Sequence, residues 1–287
     1  MTHLSHSHLH LSRLLLPIIL LALFGHQHLS ARSVDELDPY MQLVSRADSL
    51  CAIAAWPEAA LTLQHAIASE PSNPGNIQLL SNLGMIHHYM GEDSTAIATL
   101  SRAVDMAPAS VTIRANRAKV YASAGYEQEA FDDYARIMMM DSTYVPARFS
   151  HALLAMRHRM FQVAQDDIEY MEQHFPAADE TVIARASFLS SLGRYAEAIP
   201  FYDEILRTIK APEYYGARAY CRLMTGDLLE ASADIGEALA LAPDDGELYL
   251  YRAALNKMRY RPDDAAADAR RAVELAVDPA RAREFIR

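Results

Sequence analysis

Residues 77–110, IQLLSNLGMIHHYMGEDSTAIATLSRAVDMAPAS, decide the fold of this chain. Apolar residues recur at helical spacing from Ile77 to Met90 and again from Ser94 to Met106, and Gly91 separates the two stretches. Pro108 follows the second stretch, where its ring blocks continuation of a helix. The pattern predicts two amphipathic helices joined by a turn in which glycine takes a left-handed conformation.

The same pattern recurs along nearly the whole chain, at a period of 34 residues with one step of 33. One alanine column consists of Ala96, Ala130, Ala164, Ala198, Ala231 and Ala265. A second column of small residues consists of Gly84, Ala118, Ala152, Ala186, Ala219 and Ala253. Self-similarity at this period predicts stacked helix pairs rather than a single globular core, and it favours a scaffold over an enzyme.

The repeat resembles the tetratricopeptide repeat (TPR) family at Asn82-Leu83-Gly84, Gly91, Ala96-Ile97, Leu100, Ala103-Val104 and Pro108. The resemblance implies an all-α fold, a right-handed α-solenoid of about seven helix-turn-helix units. The units are expected at 40–73, 77–110, 111–144, 145–178, 179–211, 212–245 and 246–279, with a lead-in at 32–39 and a C-terminal capping segment at 280–287. Arg159 and Tyr260 stand where this family has glycine.

The N-terminus has a different character from the repeats. Residues 1–13 contain Arg13 and no acid, Leu14 to Phe24 is an unbroken apolar run, and the small residue Ala31 follows. This order predicts a secretory signal peptide at 1–31, because the run is shorter than the roughly 20 residues that a membrane span needs. We therefore expect an exported, periplasmic protein. The alternative is an uncleaved segment that anchors the chain in the membrane.

Composition excludes several classes of function. The chain has 26 Lys and Arg against 37 Asp and Glu, a net charge of −11, which disfavours nucleic acid and anionic lipid as partners. It has no glycine-rich phosphate loop, no GxSxG elbow and no paired-histidine zinc motif. We therefore predict no enzymatic activity, no cofactor and no metal. Cys51 and Cys221 lie five units apart, too far for a disulfide within the chain, and are expected in the core.

One recurrence goes beyond the helical pattern. An arginine and an aspartate lie sixteen residues apart in three units, as Arg117 and Asp133, Arg218 and Asp234, and Arg252 and Asp268. We interpret these as a ladder of ion pairs that ties helices together within or between repeats. The alternative is that the charges only solvate a repeated outer face.

The family resemblance implies that the first helices of successive repeats line a concave groove that receives peptides. The candidate groove residues are Asn82, His88, Asn116, Lys119, Phe149, Leu153, Met156, Tyr220, Met224, Leu250 and Tyr251. Asn82 and Asn116 match two asparagines of the carboxylate-clamp type, but Gln78, Pro146 and Ser150 replace its basic residues. Methionines and aromatics at this spacing are also common in helical cores.

The sequence thus favours an exported scaffold that binds a peptide or protein partner through its concave surface. Two alternatives remain open at this point. One is a self-associating structural subunit of an envelope assembly, and the other is an N-terminally membrane-anchored receptor.

Overall fold

Helices begin and end where the repeat places its turn residues. The computed structural model describes residues 38–286, so the predicted signal peptide at 1–31 lies outside the described part. Within it there are no strands and the helices are α1 (Pro39–Ala52), α2 (Trp56–Ser69), α3 (Asn76–Tyr89), α4 (Asp93–Met106), α5 (Val111–Ser123), α6 (Glu127–Met140), α7 (Val145–Arg157), α8 (Phe161–His174), α9 (Asp179–Ser191), α10 (Tyr195–Thr208), α11 (Pro212–Thr225), α12 (Leu228–Leu241), α13 (Gly246–Met258), α14 (Pro262–Glu274) and α15 (Pro279–Ile286). None of these helices is long and apolar enough to cross a membrane.

The turn inside each helix pair is left-handed, as the glycine column predicts. The φ angles are 78° at Gly91, 84° at Gly125, 75° at Gly193 and 85° at Gly226. Three turns without glycine keep the same conformation, with φ of 56° at Ala54 and of 59° at both Arg159 and Tyr260. A side chain in this region costs about 1–2 kcal/mol because Cβ crowds the following carbonyl oxygen. The geometry of the stacked helices therefore overrides local preference at these three turns.

The described helices form two compact units, 38–154 and 155–286. In the first, α1 packs on α2, α3 on α4 and α5 on α6, and α2 and α4 pack on the helix that follows each. In the second, α9 packs on α10, α11 on α12 and α13 on α14. Consecutive helix pairs thus pack as repeats, which confirms the predicted all-α, helix-pair architecture.

The small-residue columns lie where two helices approach most closely. Ala96 and Ala118 are fully buried in the first unit, as are Ala198 and Ala219 in the second. At Gly84 a Cβ atom would lie 2.6 Å from Cγ of Leu100, so only glycine fits there without displacement. These columns set the distance between paired helices.

Helix α15 packs on α14 and α13 at the C-terminal end of the second unit. Its Ala282 and Phe285 are buried in the same cluster as Leu250 and Leu255. Arg281 of α15 donates two hydrogen bonds to the Glu247 carboxylate, at 2.5 and 2.7 Å. The segment therefore covers apolar surface of the last helix pair and is held there by an ion pair.

Candidate functional site

The ladder of ion pairs is present in all three predicted repeats. Nε and Nη2 of Arg117 donate to the Asp133 carboxylate at 2.8 Å each. Nε and Nη2 of Arg252 donate to the Asp268 carboxylate in the same way, and those of Arg218 donate to Asp234. The bond from Nη2 is the shorter one in both pairs, at 2.6 Å. The three aspartates are buried. The hypothesis of a structural ladder is therefore confirmed over that of a solvated outer face.

Two of these arginines also reach the second helix of the preceding repeat. Nη1 of Arg117 donates to Oγ of Ser101 in α4 at 3.2 Å, and Nη1 of Arg218 donates to Asp203 in α10 at 2.7 Å. Arg185, whose own repeat lacks the aspartate, donates to Glu172 in α8. The guanidinium groups of Arg117, Arg185 and Arg218 thus join neighbouring repeats. The hydrogen bonds that Arg117 donates to the Asp133 carboxylate raise the pKa of Arg117, against the opposing effect of burial.

On the first helices of unit 38–154, the candidates Asn82 and Asn116 each form a hydrogen bond with another polar side chain. Nδ2 of Asn116 donates to Oγ of Ser81 at 3.0 Å, which joins α5 to α3. Nε2 of Gln78 donates to Oδ1 of Asn82, also at 3.0 Å, within α3. These amide side chains form a polar strip along the face where α3 and α5 meet. Asn82 lies in it as a buried residue, so it supports the strip rather than presenting itself to a ligand.

His88 and Lys119 differ in their surroundings. His88 is half-buried, and its Nδ1 lies 2.7 Å from Oδ1 of Asp93, the first residue of α4. Lys119 is half-buried as well, and burial lowers the pKa of its ammonium group. No hydrogen-bond or ion-pair partner of Lys119 is found among residues 38–286. An unpaired cation in this position is available to a ligand.

Four apolar candidates are core residues. The buried side chains are those of Phe149, Leu153, Met156 and Leu250, with Leu153 only 1% exposed. Leu250 packs against Leu223, Ala253 and Phe285 in the core of the second unit. A first helix contacts its own second helix and the helices of neighbouring repeats, so most of its circumference is covered. The expectation that these four line an accessible groove is corrected by their burial.

The candidates Tyr220 and Tyr251 belong to a row of tyrosines in unit 155–286, defined as Tyr195, Tyr220 and Tyr251. The Tyr220 ring lies edge-on to Tyr195 with centroids 5.6 Å apart, and 5.7 Å from the tilted ring of Tyr251. Burial is the main cause of the raised pKa of both Tyr220 and Tyr251. Met224, one turn after Tyr220, is 40% exposed. Tyrosine rings packed edge-on and tilted beside an accessible methionine form a surface suited to apolar and aromatic side chains.

Sequence reasoning missed two members of these surfaces. Tyr195 follows the turn glycine Gly193 and is the first residue of a second helix, so a search limited to first helices passes over it. Asp48 lies on α1 as a half-buried carboxyl, and burial raises its pKa to about 6. The only signal in the sequence was that Asp48 follows Ala47, at the position of the repeat where Lys119 follows Ala118. Between residues 38 and 286, no group of three or more His, Cys, Asp or Glu side chains is arranged to hold a metal ion.

Comparisons with known proteins agree with this geometry. Residues 77–110 match the family model of the tetratricopeptide repeat. DnaJ homolog subfamily C member 3 of Homo sapiens is 23% identical over 175 residues, which cover 55% of this chain and 35% of that protein. The rat protein of the same name is 26% identical over the same length. The match thus spans about a third of the length of these curated relatives.

Solved structures extend the likeness over most of the chain. A tetratricopeptide repeat protein from Parabacteroides merdae ATCC 43184 has a TM-score of 0.72 and 22% identity, and covers 86% of this chain and 97% of its own. At this identity the likeness concerns the fold. The chain therefore carries a tetratricopeptide repeat at residues 77–110 and the tetratricopeptide-repeat fold across its described helices.

Proposed function

We propose that this protein is an exported scaffold that binds a protein or peptide partner through the surface of its first helices. By analogy of fold, the tetratricopeptide-repeat architecture suggests a protein–protein interaction scaffold and is typical of non-enzymatic proteins. The observation that carries the proposal is the row of tyrosines at Tyr220, with the exposed Met224 beside it. Aromatic side chains held in place by packing lose little conformational entropy on binding and serve as anchors for a partner.

The other parts of the proposal rest on the sequence. Export follows from the charge and hydropathy pattern of residues 1–31. The net charge of −11 makes a protein a better partner than nucleic acid. Among proteins of similar fold, the Cut9–Hcn1 structure, with a TM-score of 0.68 over 88% of this chain and 10% identity, is a hetero-tetramer, so the fold accommodates a protein partner in that case.

The test uses site-specific crosslinking in cells. A photo-crosslinking amino acid at position 224 should give a discrete adduct with one partner, and Tyr220→Ala should remove that adduct because the neighbouring anchor is lost. Tyr126→Ala is the control, since Tyr126 is an exposed aromatic in a turn away from the row. Tyr126→Ala should melt near the wild type, and Tyr220→Ala, which loses packing against Tyr195 and Tyr251, should still unfold in one transition above the temperature of the experiment. An adduct that survives Tyr220→Ala would contradict binding at this surface.

Self-association and membrane anchoring give different results in the same experiment. An adduct whose mass is twice that of the chain would replace the proposal by a self-associating subunit. The mass of the mature protein tests export, because cleavage after Ala31 removes the whole apolar run, whereas an intact N-terminus in the membrane fraction identifies an anchored receptor.

A further inference from the structure

Several half-buried arginines in residues 38–286 are paired with an acceptor, whereas the half-buried Lys119 is not. Arg117, Arg218, Arg252 and Arg281 hold carboxylates, and Arg259 holds the carbonyl oxygen of Leu228. Lys119 has no such partner within these residues. Its ammonium group has lost part of its hydration without gaining a countercharge, which is a net cost to the folded protein.

Asp48 is the opposite case on the same unit. Its carboxyl is half-buried in α1, and it too has no hydrogen-bond or ion-pair partner among the described residues. Burial alone accounts for the rise of its pKa to about 6. The unit 38–154 therefore holds one unpaired anion and one unpaired cation, each partly withdrawn from water.

The repeat places both charges at equivalent positions of their helices. Asp48 follows the small residue Ala47 in α1, and Lys119 follows Ala118 in α5. Cys51, one turn after Asp48, packs in the cluster that includes Ile86 of α3. Asp48 and Lys119 thus occupy equivalent positions on α1 and α5, which are the first helices of the first and third repeats.

Helix α3 lies between the two charges. Asn116, one turn before Lys119, donates to Ser81 of α3 at 3.0 Å, so the α5 face that carries Lys119 is turned toward α3. On α1, Cys51 lies one turn after Asp48 and shares a buried cluster with Ile86 of α3, which places this part of α1 near α3. With about 8–10 Å for each of the two helix spacings crossed, we infer a separation of about 20 Å between the two charges. That distance is too great for an ion pair between them.

We propose that this surface binds an extended segment of a partner protein that places a basic side chain at Asp48 and an acidic side chain at Lys119, with the intervening residues lying across α3. The inference rests on the scaffold function proposed above and names the chemistry of the partner. A free amino acid or other small zwitterion is too short to reach both charges. An extended chain advances about 3.3 Å per residue, so the two side chains are about six residues apart in the partner.

The charges of such a segment would complement those of Asp48 and Lys119. Each ligand charge would form a hydrogen bond to a group that is already partly desolvated, and such charge-assisted bonds are stronger than neutral ones. Two opposite charges also select the direction of the segment, because a reversed segment brings like charges together. The half-buried Asn116, one turn before Lys119, has an amide oxygen that can accept a hydrogen bond from the backbone of the segment.

The test measures binding of synthetic peptides to the full chain by fluorescence anisotropy at low salt. Each 14-residue peptide carries one Lys and one Glu on an Ala/Ser background, in either order and from three to nine residues apart. Matched peptides have Gln in place of the Lys or the Glu. The expected result is a preferred spacing near six, in one order, with at least tenfold loss of affinity for either Gln peptide.

Two protein variants assign each peptide charge to its partner. Lys119→Gln should abolish the difference between Glu and Gln peptides but keep the preference for Lys, and Asp48→Asn should do the reverse. Arg102→Gln and Glu129→Gln are the controls, because both side chains are exposed on second helices. Thermal melts check folding, and both test variants should melt at or above the wild type. If either melts lower, Lys119→Glu is used instead and should restore binding to a peptide with Lys at both sites.

Two outcomes overturn the inference. One is a panel in which no peptide binds, and the other is binding whose dependence on peptide charge is the same in wild type, Lys119→Gln and Asp48→Asn. If the crosslinked adduct at position 224 still depends on Tyr220 in either case, the scaffold function stands and only the partner chemistry is wrong. If that adduct is absent while the peptides bind as expected, binding is confined to unit 38–154 and the tyrosine row is not the partner surface.

Discussion

The Arg218 guanidinium holds the Asp234 carboxylate through two hydrogen bonds, from Nη2 to Oδ1 at 2.6 Å and from Nε to Oδ2 at 2.9 Å. Asp234 is 2% exposed and also accepts from Nη1 of Arg222 at 2.7 Å. Because Arg218 reaches Asp203 as well, one cluster joins α10, α11 and α12. This contact fixes how successive repeats are stacked, and so where their first helices lie.

Removal of Asp234 should therefore be costly. Asp234→Ala leaves two half-buried guanidinium groups short of a countercharge, and we expect a loss of about 3 kcal/mol in the free energy of unfolding. A double-mutant cycle with Arg218→Ala, measured by urea unfolding, should show a coupling energy of about 1–3 kcal/mol. The exposed pair Arg194 and Glu197 is the control and should show no measurable coupling. Equal coupling in the two cycles would contradict a structural role for the ladder.

The left-handed turns offer a second prediction. Tyr260 has φ of 59° and is 93% exposed, so its side chain contributes strain and little packing. Tyr260→Gly should stabilise the protein by about 1 kcal/mol, the strain relieved less the extra entropy of glycine in the unfolded chain.

Gly226→Ala is the matched control for this turn. Gly226 has φ of 85°, and an added Cβ would meet no atom within 4 Å, so only backbone strain is introduced. We expect a loss of about 1 kcal/mol, measured by thermal and urea unfolding. A destabilised Tyr260→Gly variant would show that the tyrosine makes contacts that outweigh its strain.

The glycine at the closest approach of α3 and α4 should not tolerate substitution. In Gly84→Ala the new methyl group would lie 2.6 Å from Cγ of Leu100 and 3.3 Å from the Ala96 carbonyl oxygen. We expect destabilisation by about 1–3 kcal/mol from overpacking, although alanine is the better helix former.

The same substitution at Gly236 should have the opposite sign. Gly236 lies inside α12 with open space around its Cα, so alanine adds helix propensity without a clash. We expect stabilisation by about 0.5–1 kcal/mol. If the two variants change stability in the same direction, crowding at Leu100 does not explain the glycine.

Asp48 predicts a dependence of stability on pH. Its carboxyl has a pKa of about 6 in the folded protein against 3.8 for an unperturbed aspartate, so the folded state binds the proton more tightly. The wild type therefore loses stability as the pH rises from about 4 to about 6, where the folded state must give up that proton.

Asp48→Asn removes the titrating group. It should match the wild type below pH 4 and exceed it by roughly 1 kcal/mol above pH 6, a value reduced from the full linkage energy because the residue is partly exposed. Urea unfolding of both proteins from pH 3.5 to 8 measures the difference. A difference that stays constant over this range would contradict the buried, unpaired carboxyl.

Local sequence patterns predicted much of the fold. The spacing of apolar residues and the positions of glycine and proline predicted the helix pairs, because these depend on backbone sterics and on one face of each helix. The sixteen-residue spacing predicted Arg117 with Asp133, since both residues belong to one helix pair. The partners of the same arginines in the preceding repeat, such as Asp203, were not predicted, because they lie outside that pair.

The binding surface was predicted less well. Leu153 and Leu250 have the same helical spacing as Tyr220, yet they are buried in the core, whereas Tyr220 lies in the tyrosine row. Their difference depends on how neighbouring repeats cover each first helix, which no local pattern records. Asp48 and Lys119 are ordinary charges in the sequence, and only packing shows that each is half-buried without a partner.

The sequence by itself determined the repeat, its helix pairs, the left-handed turns at glycine and the ion pairs inside three repeats, since all of these arise from interactions between residues close in the chain. The tertiary structure alone decided which first-helix side chains remain accessible and which charges lack a partner. These are properties of burial, and burial is set jointly by side chains from helices that are far apart in the chain.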